Sequence, residues 1–151
     1  MEEPKQRLRA ATAGWNRWTP VNLAGITAHV AGGLILLGAN KGRVAGQQGV
    51  GQVTVVKTAL TGAALAATAW SRALGAKLNS AGEVPVEGGT DPSGDTPEDV
   101  AKTQRQLRLL QWVIPALTGA VLVLNARMGE QQRPAQVTSG LLGRLRPGRA
   151  A

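Results

Sequence analysis

The sequence contains no cysteine, no phenylalanine and no tyrosine, and its single histidine is His29. Without cysteine there are no disulfides, no thiolate metal ligands and no cysteine nucleophile. One histidine with no cysteine cannot close a zinc coordination sphere within one protomer. The missing aromatics bear on the core. A soluble core in a chain of 151 residues normally uses several, because each buries a large area. Acids are also scarce: nine Asp and Glu against 17 Lys and Arg leave a net charge of +8. No nucleotide-binding glycine pattern, catalytic triad or pair of carboxylates at membrane depth is present. No cofactor is therefore expected.

Mean hydropathy is close to zero, at −0.06, so the apolar content is ordinary. Its distribution is not. Apolar residues gather in three blocks, near 18–39, 53–76 and 107–126, with the charge between them. A soluble domain mixes the two at short range, since each helix shows one face to water. Blocks of roughly 20 residues with few charges match a hydrocarbon layer ~30 Å thick. Ala, Gly, Leu and Val fill them, and small residues suit helix contacts in lipid. The expected fold is all-α: a three-helix transmembrane bundle over residues 18–128, with a basic segment at 1–17, a flexible acidic loop at 77–96 and a disordered basic tail at 129–151.

The first span reads WTPVNLAGITAHVAGGLILLGAN. It could be mistaken for a signal peptide, but it is long, holds Pro20 and His29, and lacks a small-residue cleavage site, so a retained span is expected. Pro20 suits a first helical turn, where its missing N–H is harmless. A polar, glycine-rich loop, Asn40–Gln52, follows. The second span is less apolar and has Lys57 and Arg72 near its ends, where long basic side chains reach the interface. In residues 79–96, Gly, Pro and Ser recur among acids without an apolar period, which reads as a solvated linker. Asp91, Ser93, Asp95 and Glu98 lack the order of an EF-hand. Thr96 can then cap a helix whose first turn holds Pro97 and Asp99. Pro115 should kink that helix within the membrane. Leu141, Leu142 and Leu145 could rest the tail on a bilayer surface.

The four tryptophans mark the interface. Trp15 and Trp18 precede the first span, Trp70 closes the second and Trp112 opens the third. In an antiparallel arrangement all four fall at one membrane surface, where indole is favoured. Arg7, Arg9, Arg17, Arg72, Lys77, Lys102, Arg105 and Arg108 lie on that side. Lys41, Arg43, Lys57, Arg127, Arg133 and the distal tail arginines lie on the other. The positive-inside rule then places the N-terminus and the acidic loop in the cytoplasm of a plasma-membrane protein. The positive charge is thus expected to meet anionic lipid rather than nucleic acid, for which there is no aromatic platform, zinc pattern or basic recognition helix.

His29 lies near the middle of the first span. An ionisable group at that depth is a functional candidate by default, as a proton relay or ligand residue. The plainer alternative is a neutral imidazole bonded to a neighbouring helix, favoured by the lack of any Asp or Glu at that depth. Each span also carries polar residues seven apart, and so on one face: Asn22 and His29; Thr54, Thr61 and Thr68; Gln111, Thr118 and Asn125. These form either a polar path or a set of interhelical hydrogen bonds in the bundle interior. On either reading His29, Thr61 and Thr118 are expected to share the middle layer. Small residues lie alongside: Ala28 and Gly32; Ala59, Ala63 and Ala67; Ala116 and Ala120.

The stretches WTPVNLAGITAHVAGGLILLGANKGRVAGQQGV and TPEDVAKTQRQLRLLQWVIPALTGA resemble small actinobacterial integral membrane proteins without an assigned activity, over most of residues 15–134. The resemblance implies a polytopic helical membrane protein. In size the chain is also similar to DoxX-type membrane proteins, although those usually have four spans and none of their diagnostic residues can be matched here. Two functions are expected. One is a non-enzymatic accessory or assembly subunit or a homo-oligomer, its partners being the bilayer and another membrane protein or its own copies. The other is a DoxX-like redox or proton-coupled factor centred on His29.

Overall fold

The computed structural model describes residues 4–46 and 49–130. The chain is helical: α1 Pro4–Ala39, α2 Lys41–Gly46, α3 Val50–Ser80 and α4 Glu98–Glu130. Among the described residues there are no strands, only an isolated antiparallel bridge between Val86 and Pro92. Helices α1, α3 and α4 are each long and apolar enough to cross a membrane. Residues 1–3, 47–48 and 131–151 lie outside the described residues, and with them nearly all of the tail.

Helix α1 departs from its expected start. It does not begin at the first apolar block but runs unbroken from Pro4 through the basic segment, so Pro20 sits in its interior rather than in its first turn. The segment before Trp18 holds three Ala and three Arg, strong helix formers that outweigh the single Gly14. The helix ends at Asn40, whose backbone N–H and side-chain amide both donate to the Leu36 carbonyl at 3.0 and 2.8 Å. That carbonyl is one of those a helix end leaves without an intrahelical donor. The polar loop that follows is partly helical. In α2 the amides of Arg43 and Val44 donate to the Asn40 carbonyl, and α2 packs on both α1 and α3. Gly49, at φ 81, turns the chain into α3. Gly82, at φ 72, ends α3 in the left-handed conformation that stops many helices.

Most of the packing between long helices is α3 against α4. Ala64, Leu74 and Leu78 of α3 and Val100, Ala101, Thr103, Gln104 and Val121 of α4 are buried. The α4 helix continues through Pro115, with Thr118 donating to the carbonyls of Ile114 (3.0 Å) and Pro115 (3.1 Å) on its own helix. Helix α1 lies against α3 over a shorter length, and none of its most apolar stretch is buried.

The acidic loop is not the solvated linker its composition suggests. Val86 is fully buried and joins Leu8, Leu78 and Val100 in a small core at the end of the bundle, with Ala81, Val84 and Leu107 packed on it. Burying a valine of this kind contributes about 1.5–3 kcal/mol. A tight turn brings the Glu87 and Gly88 amides to the Asp91 carbonyl, both at 3.0 Å. The Thr96 hydroxyl donates to the Pro85 carbonyl at 2.7 Å and accepts from the Ser93 amide at 2.8 Å. It therefore clamps the loop instead of capping α4, whose first bond runs from the Ala101 amide to the Pro97 carbonyl. Composition misses this arrangement because a single buried valine and a few side-chain bonds suffice to fold a short loop onto helix ends.

Gly89 sits where this loop meets α1. A Cβ there would stand 3.1 Å from the Cβ of Ala11. Gly89→Val should push the loop off α1 and expose the Leu8–Val86 contact. Faster amide hydrogen exchange over residues 84–104, with α3 unchanged near Ala64, is the expected result; unchanged exchange would show that the loop does not depend on this approach.

Candidate functional site: the polar residues of the spans and the basic end of the bundle

Two side-chain bonds set the relative heights of the long helices. Lys57 donates to the Asn125 amide oxygen at 3.1 Å, linking α3 to α4. Arg72 donates to the Asn16 amide oxygen at 3.1 Å, linking α3 to α1. The same number of residues separates Lys57 from Trp70 and Asn125 from Trp112, so those indoles lie level. Trp18 and Trp70 each sit two residues inward of the Asn16–Arg72 bond, which puts α1 at the same height. All four tryptophans are exposed. Each lies in the half of its helix nearer the folded loop.

The polar residues of the spans do not converge. His29 and Asn22 are exposed on α1 and have no hydrogen-bond partner among the described residues. Gln111 and Thr118 are exposed on α4, and Thr61 is half-buried on α3. The hydroxyls of Thr54 and Thr68 donate along their own helix to the carbonyls of Val50 and Ala64, each at 2.8 Å, as Thr118 does on α4. Of these residues only Asn125 bonds across a helix interface. This differs from the expected inward-facing line, and the reason is steric and topological. Helices α3 and α4 pack on each other, burying Ala64 on one and Val121 on the other. Helix α1 does not pack into their groove deeply enough for His29 to reach Thr61 or Thr118.

The loop-bearing end holds most of the ionic chemistry. Arg9 pairs with Glu83 at 3.2 Å, Arg105 with Glu98 at 2.6 Å and Arg108 with Asp91. All three are solvent-exposed pairs, which contribute little to stability singly. Arg7 donates to the Glu87 carbonyl at 3.4 Å. Gln104, fully buried on α4, donates to the carbonyls of Gly88 (2.8 Å) and Gly89 (3.3 Å), while its own Oε1 has no partner. A cavity of about 230 Å³ lies between Leu8, Arg9 and Thr12 of α1 and Leu78, Asn79 and Glu83 across from them. It falls below the ~300–1,000 Å³ usual for small-molecule pockets. Among the described residues no three His, Asp or Glu side chains are grouped to hold a metal.

The roles of Gln104, Ser93 and Thr96 are not legible in the sequence, where Ser93 is weighed as a calcium ligand and Thr96 as a helix cap, because each bonds a backbone carbonyl that only the folded loop brings to it. The available signal was the position of Gln104, four residues after Val100 and so on the same face of α4. The Lys57–Asn125 bond was equally hidden, since Lys57 read as an interface group and Asn125 as part of the polar line of the third span.

No family model, curated protein or solved structure matches this chain. Three long apolar helices, almost wholly unburied over their spans, define a small multi-pass helical membrane protein.

Proposed function

We propose that this chain is a non-enzymatic protein of the plasma membrane, with its N-terminus in the cytoplasm, that acts by self-association within the bilayer through α1. The observation that carries this reading is the state of α1. Its span is unburied, and Asn22 and His29 stand at membrane depth without a partner. An unpaired polar group in hydrocarbon costs several kcal/mol, so a second protein surface is favoured over lipid there. A second copy fits the chemistry. Copies inserted the same way and related by a two-fold axis along the membrane normal bring identical residues to the same depth. A carboxamide and a neutral imidazole each both donate and accept, so Asn22 can pair with Asn22 and His29 with His29. The two lie seven residues apart on one face of α1. The proton-coupled reading has less support, because no carboxylate lies between Glu3 and Glu83 to work with His29.

The test is the double variant Asn22→Leu/His29→Leu, with subunits counted by single-molecule photobleaching in lipid vesicles over a range of dilutions. Interhelical polar pairs are worth ~0.6–2 kcal/mol each, so the dimer should dissociate at a concentration roughly 10-fold higher than wild type, with helical content unchanged. A wild-type protein that is monomeric at every dilution, or a variant that dimerises as well, would overturn the proposal.

A further inference from the structure

The arginines at the tryptophan end fall into two groups. Those near the loop have acids or carbonyls to hold: Arg9, Arg105 and Arg108 pair with Glu83, Glu98 and Asp91, and Arg7 meets the Glu87 carbonyl. Those on the membrane side of the α1/α3 contact do not. Arg17 has no partner among the described residues, and Arg72 holds only the neutral amide of Asn16, at 3.1 Å. No acid can come from the same helices, because the sequence has none between Glu3 and Glu83. Asn16 against Arg72 also shows that α1 and α3 touch at this height, and Arg17, the next residue, is exposed at the same height, about 100° further round α1. Arg17 lies between Trp15 and Trp18, and Arg72 lies two residues outward of Trp70. Exposed indoles mark the headgroup boundary. Both guanidinium groups are therefore held at the depth of lipid phosphates, unneutralised by protein.

We propose that Arg17 and Arg72 bind the phosphodiester of an anionic phospholipid in the leaflet that meets the tryptophan layer. A guanidinium offers a planar fork of donors that matches phosphate oxygens in pairs. Asn16 accepts from one nitrogen of Arg72 and so fixes its direction, leaving the remaining N–H groups for the ligand. Basic positions between transmembrane helices are a recurring setting for such headgroups. The inference rests on the membrane-spanning reading and goes beyond the proposed self-association, since the site lies at the α1/α3 junction of one chain.

The full-length protein is reconstituted in nanodiscs containing phosphatidylglycerol and phosphatidylcholine, released in mild detergent, and its retained lipid read by native mass spectrometry. Wild type should keep phosphatidylglycerol over phosphatidylcholine by tenfold or more. Arg17→Gln/Arg72→Gln should lose that preference. Arg17→Lys/Arg72→Lys, which keeps the charge but not the fork, should fall between. Lys102→Gln, which removes an unpaired cation from α4 at the same end, should match wild type. Equal retention of the two lipids by wild type, or an equal loss in Lys102→Gln, would overturn the proposal by leaving either no selectivity or a general effect of net charge. A protein that enters no nanodisc of any composition would instead refute the membrane reading, so the two failures are distinguishable.

Discussion

Extraction of membranes with alkaline carbonate should leave this protein in the pellet. Carbonate strips proteins held by charge or by other proteins and spares those threaded through the hydrocarbon. The expectation rests on how little of each span the fold covers: none of the most apolar window of α1, 11% of that of α3 and 6% of that of α4. Among the described residues sixteen large apolar side chains stand exposed, including Leu34, Ile35 and Leu36 on α1, Val55 on α3 and Leu122 and Val123 on α4. At ~1.5–3 kcal/mol for each such side chain kept from water, exposing them in solution would forgo some tens of kcal/mol. That exceeds the ~5–15 kcal/mol by which ordinary domains are stable. No rearrangement of three helices could hide them all. Recovery of most of the protein in the carbonate supernatant would remove the basis for everything inferred about depth and lipid.

The second large effect is expected from Val86→Asp. Val86 is completely buried against Leu8, Leu78 and Val100. A carboxylate there has no cation within its core, and burying an unpaired charge costs several kcal/mol even after the surroundings relax. The loop should be released from the helix ends, and with it the Gln104 bonds to Gly88 and Gly89 and the Thr96 clamp on Pro85. The spans should stay inserted, because this core lies at the ends of the helices and reaches the apolar blocks only at Leu107. A glutamate-specific protease acting at Glu83 and Glu87 should then cut the variant at least tenfold faster than wild type, while both remain carbonate-resistant. With the proposed cytoplasmic placement, the cut should occur in inverted vesicles and not in intact cells. Equal cleavage of wild type and variant would mean that the loop is open in both, against the packing around Val86. Cleavage from outside intact cells would reverse the orientation without touching the fold.

Three helices long and apolar enough to cross a membrane were readable along the chain. The information for them is local. Twenty apolar residues in a row determine a span by length and transfer free energy, whatever the neighbours do. Even here the ends of the elements depended on more than hydropathy: α1 starts at Pro4 because helix propensity continues past the point where apolarity stops.

What the tertiary structure alone decided is which polar groups meet. His29, Thr61 and Thr118 occupy one face each by period, but period does not say which face turns to which helix. Helix α3 packs on α4, the hydroxyls of Thr54, Thr68 and Thr118 bond carbonyls of their own helices, and His29 stays exposed on α1. The same holds for the acidic loop. Its composition is that of a linker, yet Val86 finds an apolar site formed by Leu8, Leu78 and Val100, which lie far apart in sequence, and Gln104 finds the carbonyls of Gly88 and Gly89. Composition measures how much a segment could bury by itself. Whether it folds depends on the surface that other segments present to it, and that surface exists only once the helices have packed.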